Sequence, residues 1–272
     1  MRYLEVKNDK NITSINDTDT CLYLKHKVKV TNMFKVTNVL NYKQGEYTKY
    51  IATLDSGKAC ALDFGINTSP NNSYGYVNIS IPILDREEGE AYMYVISSKE
   101  KIFSLNVFEE VGINFRVTFR VYYQKGTDVQ KMLEQLTFYV YSSKIPKVGN
   151  LGMQVFNSDK NLVFNSNKYC LRIIDVVNKI YHAGVEYKKE EFAVPKRQYN
   201  TELIGCTLTR TTPVHGNIRI FQAIRLDEKS VEVTVEMYQR GMGTFNVNNY
   251  LNLFICDLSN TQDFPVDVNG HV

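Results

Sequence analysis

Apolar and polar residues alternate with a period of two along much of this chain. From Asn114 to Tyr123 the apolar set is Phe115, Val117, Phe119, Val121 and Tyr123, with Arg116, Thr118 and Arg120 between them. From Val231 to Tyr238 it is Val231, Val233, Val235 and Met237, with Glu232, Thr234 and Glu236 between. That period puts one set on each face of a strand, one face buried and one wet. Leu22–Leu24, Ala91–Ile96 and Leu136–Tyr141 read the same way. Short polar clusters separate the strands, such as Asp85–Gly89 and Asp227–Ser230. Helical spacing is confined to Thr127–Gln135, which predicts a short helix capped by Thr127 inside a loop. The expectation is an all-β protein.

Near the middle, Ser142-Ser143-Lys144-Ile145-Pro146-Lys147-Val148-Gly149-Asn150 reads as a linker. Proline removes a donor there and glycine relaxes the backbone. The segments on either side resemble each other. Val6-Lys7-Asn8 followed by Asp9-Lys10-Asn11-Ile12 corresponds to Val155-Phe156-Asn157 followed by Asp159-Lys160-Asn161-Leu162. Cys21-Leu22 corresponds to Cys170-Leu171. Tyr123-Gln124-Lys125-Gly126 corresponds to Tyr238-Gln239-Arg240-Gly241, and Leu136–Val140 to Leu251–Ile255. Matches in one order at both ends of each half predict an internal duplication. The expectation is two tandem β-sandwich-like domains, residues 1–145 and 146–272.

Composition narrows the function. Hydrophobic residues make up 43% and charged residues 22% of the chain, an ordinary globular balance that argues against large-scale disorder. A net charge of +3 on 272 residues does not call for a nucleic-acid or membrane partner. The N-terminus lacks the apolar stretch of a signal peptide, and no run of about 20 apolar residues exists to span a membrane. The expectation is a soluble protein made in a cytosol. Cys21, Cys60, Cys170, Cys206 and Cys256 are odd in number and form no C-x-x-C pair, so all are expected to be reduced and none to hold zinc.

Candidate chemistry is thin. None of the four histidines, His26, His182, His215 and His271, has another at helical spacing, and His26 reads as a core or edge residue rather than a ligand. Asp85, Glu87, Glu88 and Glu90 surround Gly89 without calcium-loop spacing, so a solvated hairpin tip is expected. Lys25, Lys27 and Lys29 fall on one strand face, where lysines commonly protect an edge. Asp63-Phe64-Gly65 echoes a kinase tripeptide without the rest of that machinery. No catalytic residue, metal ligand or cofactor site is nominated. One loop mixes amides with aromatic faces, as binding surfaces for sugars and proteins do: Asn67, Asn71, Asn72, Tyr74 and Tyr76.

The second half opens Gly152-Met153-Gln154-Val155-Phe156-Asn157-Ser158-Asp159-Lys160-Asn161-Leu162-Val163-Phe164-Asn165-Ser166. This segment is similar to the opening of tail-associated structural proteins of tailed bacteriophages. Those begin with Gly, an aliphatic, a polar, an aliphatic and an aromatic residue, then Asn or Asp, a short turn and a second strand ending in an aromatic. The segment reads as a hairpin, Met153–Phe156 and Leu162–Phe164 around a turn at Asn157–Asn161. Lys160 or Asn161 stands where the turn glycine is usual. The resemblance implies a virion protein of the tail, made in the host bacterial cytoplasm. Its implied partners are other tail proteins and copies of itself, with no nucleic acid, membrane or cofactor and no catalytic residues. Two rivals stand beside it. One is a lectin-like receptor-binding tail protein contacting host glycans through the Asn67–Tyr76 loop. The other is a glycoside hydrolase, for which the sequence nominates no carboxylate pair.

Overall fold

The computed structural model of the chain describes residues 5–7, 13–16, 21–29, 39–44, 47–52, 62–67, 74–82, 87–98, 102–110, 116–124, 128, 131–132, 135–144, 154–160, 162–165, 169–181, 191–193, 197–207, 218–227, 230–239 and 249–265. These residues are mostly antiparallel β-sheet, as the alternating pattern predicts.

In chain order the strands of the first half are β1 (Glu5–Lys7), β2 (Thr13–Asn16), β3 (Tyr23–Lys29), β4 (Val39–Gln44), β5 (Tyr47–Ala52), β6 (Leu62–Asn67), β7 (Tyr74–Pro82), β8 (Tyr92–Ser97), β9 (Ile102–Glu110), β10 (Arg116–Gln124) and β11 (Thr137–Ser142). The second half contributes β12 (Gln154–Phe156), β13 (Leu162–Asn165), β14 (Arg172–Tyr181), β15 (Glu191–Ala193), β16 (Arg197–Gln198), β17 (Ile204–Thr207), β18 (Ile218–Asp227), β19 (Ser230–Gln239) and β20 (Asn249–Asp257). A 3-10 turn, Ser259–Thr261, follows β20.

Two large sheets hold most of these strands. One runs β15-β19-β18-β9-β10-β7-β6-β5-β4, with β16 also pairing β19. The other runs β14-β20-β17-β8-β11-β3. Two hairpins, β1-β2 and β12-β13, form small sheets of their own. Both large sheets take strands from either side of residue 145. The two halves of the chain join through β8–β17 in the six-stranded sheet, with Cys206 opposite Ile96 and Thr207 opposite Val95. They also join through β9–β18, with Ala223 opposite Phe103 and Ile224 opposite Ile102. Outward from the first contact the order is β8-β11-β3 one way and β17-β20-β14 the other. Outward from the second it is β9-β10-β7 and β18-β19-β15.

Alternation explains β10, whose Val117, Phe119 and Val121 are buried. It does not explain β11, where all six residues are buried. This strand lies between β3 and β8 and is covered on both faces. On one face Phe138 meets Phe119 of β10 with ring centroids 4.4 Å apart, and Phe119 also meets Tyr94 of β8 edge-on at 5.7 Å. On the other face Tyr139 and Tyr141 join Leu24, Val95, Cys256 and Leu258 in one apolar cluster. The two large sheets therefore bury aromatic side chains against each other.

The outer strands of the six-stranded sheet meet. Tyr23 of β3 pairs with Cys170, just before β14. Leu24 N donates to Tyr169 O at 2.9 Å and Leu171 N to Leu22 O at 2.9 Å. The sheet is thus closed on itself at that end.

One local expectation changes, the cap of the short helix. Residues 131, 132 and 135 are helical, as expected, and the cap is Asp128, whose Oδ1 accepts from Lys131 N at 3.1 Å while its carbonyl accepts from Met132 N; Thr127 lies outside the described residues. The segment from Ser259 is packed as far as Phe264. Thr261 is buried, and Phe264 meets Tyr169 edge-on at 5.0 Å. Of the expected linker, residues 145–150 lie outside the described residues.

Candidate functional site

The register of the ten-stranded sheet fixes where the candidate loop sits. Asn67, at the end of β6, is opposite Tyr47, which is itself opposite Gln44. Tyr74 opens β7 opposite Gln124, and Tyr76 is opposite Tyr122 and Gly65. Gln44, Tyr47, Asn67, Tyr74 and Gln124 therefore share one end of the sheet. Asn71 and Asn72 lie outside the described residues.

A polar cluster that alternation alone does not reveal centres on Glu90. Gly89, at φ 78, turns the chain so that Glu90 enters β8 with its carboxylate buried. Lys25 Nζ lies 2.8 Å from Oε1 and 3.0 Å from Oε2. Glu87 N donates to Oε2 at 3.0 Å, and the hydroxyls of Tyr92 and Ser142 donate to the same carboxylate. Burial opposes ionisation, but the bonds from Lys25, Ser142, Tyr92 and the Glu87 backbone outweigh it and hold the carboxyl at about 2. Lys25 also lies over the Tyr92 ring, 5.4 Å from its centroid. The expected solvated tip thus holds for Glu87 and Glu88, which are exposed, and fails for Glu90. A carboxylate with this many donors is a structural tie between β3, β8 and β11.

The lysine row is likewise corrected. Lys25 is committed to Glu90, and Lys29 alone of the three is exposed. Lys27 is buried and reaches the carbonyls of Thr261, Gln262 and Phe264 at 2.8, 3.1 and 3.4 Å. Burial, helped by Lys29 and opposed by Asp263, lowers its pKa. His26 is buried beside them on the edge strand, where an edge or core histidine was expected. His182, His215 and His271 lie outside the described residues.

A second tie ends β20. Asp257 Oδ1 accepts from Thr201 Oγ1 at 2.5 Å and from Ser259 N at 2.9 Å, and Arg172 Nη1 lies 3.8 Å from Oδ2. Burial works against the charge, yet the Thr201 and Ser259 bonds prevail and its pKa falls. Burial also raises the Tyr139 phenol to about 12, with a bond from Thr261 acting in the opposite sense.

The segment Gly152–Ser166 contains the expected hairpin. Val155 is opposite Phe164 and Gln154 opposite Asn165. Lys160 occupies the turn position with φ 64, a left-handed conformation that glycine adopts more easily. Lys160 N donates to Asn157 O at 3.0 Å, and Asp159 N to Asn157 Oδ1 at 3.1 Å, an asparagine-built turn. Val155 is buried whereas Phe156 is 49% exposed. Ile173, Ile174 and Val176 on β14 are exposed as well.

Among the described residues no group of three or more His, Cys, Asp or Glu side chains is placed to hold a metal ion. No helix among them is long and apolar enough to cross a membrane. Comparison with protein-family models, with curated proteins and with solved structures finds no match to the chain.

Proposed function

We propose that the chain is a structural protein of a bacteriophage tail, at the tip or associated with the fibres. It acts by protein–protein assembly with other tail proteins and with copies of itself. The observation that carries the reading is the Gly152–Ser166 segment, whose residues resemble the opening of such proteins. Its hairpin pairs with no further strand among the described residues and exposes Phe156. A lone two-stranded hairpin is marginal in water, so a partner that covers it adds stability. The exposed Ile173, Ile174 and Val176 on the outer strand β14 offer further apolar surface to a neighbour. In this reading the protein is made in the host cytoplasm and resides in the virion. It has no turnover of its own, no cofactor, and no nucleic-acid or membrane partner.

The same reading takes residues 1–145 and 146–272 as two copies of one β-sandwich-like unit, joined edge to edge. Three features support this. The strand orders mirror each other about β8–β17 and β9–β18. A small hairpin opens each copy, β1-β2 in one and β12-β13 in the other. The sequence matches at Cys21 and Cys170, and at Tyr123 and Tyr238, fall on corresponding strands or their approaches. The test is a map of the particle. The chain should lie in the tail with both halves contacting neighbours. A position in the capsid shell, or absence from the particle, overturns the proposal.

A second reading is receptor binding. It is favoured by the register that gathers Tyr47, Asn67, Tyr74 and Gln124 at one end of the ten-stranded sheet. Glycan-array binding by the isolated protein, lost on Tyr74→Ala and Tyr76→Ala, would support it. Silence on the array with normal tail incorporation would leave assembly as the whole function.

A further inference from the structure

We propose that Cys21 and Cys170 are a disulfide-forming thiol pair that tethers the two outer strands of the six-stranded sheet. The pairing of Tyr23 with Cys170, and the backbone bond from Leu171 N to Leu22 O at 2.9 Å, fix the local register. Cys21 and Cys170 flank that bond, one just before Leu22 and the other just before Leu171, so the two segments pass close to each other at both cysteines. The two thiols are hydrogen-bonded to each other. Both are partly exposed, whereas Cys206 and Cys256 are buried. The pair also falls at corresponding positions of the two halves, so the bond would link the halves where the sheet closes.

The reaction is thiol–disulfide exchange with a low-molecular-weight disulfide such as oxidised glutathione. The hydrogen bond to Cys21, together with burial, holds the Cys170 thiol well above the ordinary thiol range. Cys170 is therefore the poor first attacker, since the thiolate is the nucleophile. Cys21 loses its proton and attacks one glutathione sulfur. The glutathione disulfide breaks, one glutathione thiolate leaves and takes up a proton, and Cys21 carries the mixed disulfide. Cys170 then loses its proton and attacks the Cys21 sulfur. The mixed bond breaks and the second glutathione leaves as a thiol. Two protein thiols are oxidised to one disulfide, and one glutathione disulfide is reduced to two thiols.

The test uses the full chain in a Cys60→Ser background, because Cys60 lies outside the described residues. The folded protein is incubated with oxidised glutathione, quenched with a maleimide, and read by intact mass and peptide mapping. The expected result is loss of two hydrogen atoms, two fewer maleimide adducts, and a peptide linking Cys21 to Cys170 that dithiothreitol reverses. The cross-link closes a long loop, so the urea midpoint should rise on oxidation. Cys170→Ser should instead stop at a glutathione adduct on Cys21. Unreacted thiols, a link through Cys206 or Cys256, or a stable adduct on Cys21 while Cys170 is present would each overturn the proposal.

Discussion

The ammonium of Lys25 sits 2.8 Å from Oε1 of Glu90, joining strands β3 and the approach to β8 across 65 residues of sequence. With the Ser142 hydroxyl as a third member, the pair ties together one end of three adjacent strands. A buried carboxylate in such a network stabilises the fold only while it is charged.

The pH dependence follows from the direction of its shift. The Glu90 carboxyl is held at about 2, below its ordinary 4.5. Its contribution is complete above the ordinary value and is lost as pH falls from there through the folded value. The shift corresponds to about 3 kcal/mol. Glu90→Gln should therefore lower stability by that order at pH 7, measured by urea denaturation. The difference from the parent protein should shrink progressively as the solution is acidified below 4.5. A constant difference across that range would show that shape, not charge, is what Glu90 supplies.

Much of the sheet was legible because alternation records burial on one face. Val117, Phe119 and Val121 fall where the two-residue period put them. The hairpin at Asn157–Asn161 was legible because an asparagine turn needs only local chemistry. Glu90 was not legible. Its neighbours Glu87 and Glu88 are solvated, and its partners Lys25 and Ser142 come from other strands. The burial of Lys27 was hidden for the same reason, since its acceptors are carbonyls near the C-terminus. The β8–β17 and β9–β18 ladders were also invisible, because period-two patterning says which face is buried and not which strand lies alongside. The candidate loop was legible as composition, and only the register showed which residues share its end of the sheet.

Lys27 should hold the C-terminal segment in place. Its ammonium serves three carbonyls of residues 261–264. Lys27→Met keeps much of the volume and leaves those acceptors without their donor. A lost bond to a charged group of this kind costs about 1.5–3 kcal/mol. Hydrogen exchange should accelerate in residues 258–264 before it does so in β11. Unchanged protection there would mean that Phe264 packing on Tyr169 suffices to anchor the segment.

Gly205 should tolerate no side chain. A Cβ there would stand 2.4 Å from Leu258 Cδ1, 2.7 Å from Val95 Cγ1 and 3.0 Å from Ile96 O. Gly205→Ala forces these groups apart, which for overpacking costs about 1–3 kcal/mol. Trimming the nearest atom should recover part of the loss. Leu258→Ala alone is expected to destabilise, but the double variant should be more stable than the sum of the two changes. Additive losses in a double-mutant cycle would show that the clash is relieved by the backbone instead.

The shared ladders make a strong prediction about the two halves. Cutting the chain between residues 145 and 146 breaks one peptide bond but neither β8–β17 nor β9–β18. Those contacts involve Ile96 with Cys206 and Phe103 with Ala223, and both Ile96 and Cys206 are buried. Fragments 1–145 and 146–272 produced together should therefore co-purify and elute at the size of the intact chain. Produced alone, each would expose the unpaired edges of β8 and β9, or of β17 and β18. Exposed edges pair with whatever strand is available. If the halves are copies of one unit, an isolated half should self-associate through those same edges, and the complementary half should displace that contact. Size-exclusion chromatography with light scattering reads both outcomes. Two fragments that remain folded, monomeric and indifferent to each other would mean that the edge-to-edge ladders contribute nothing to holding the molecule together.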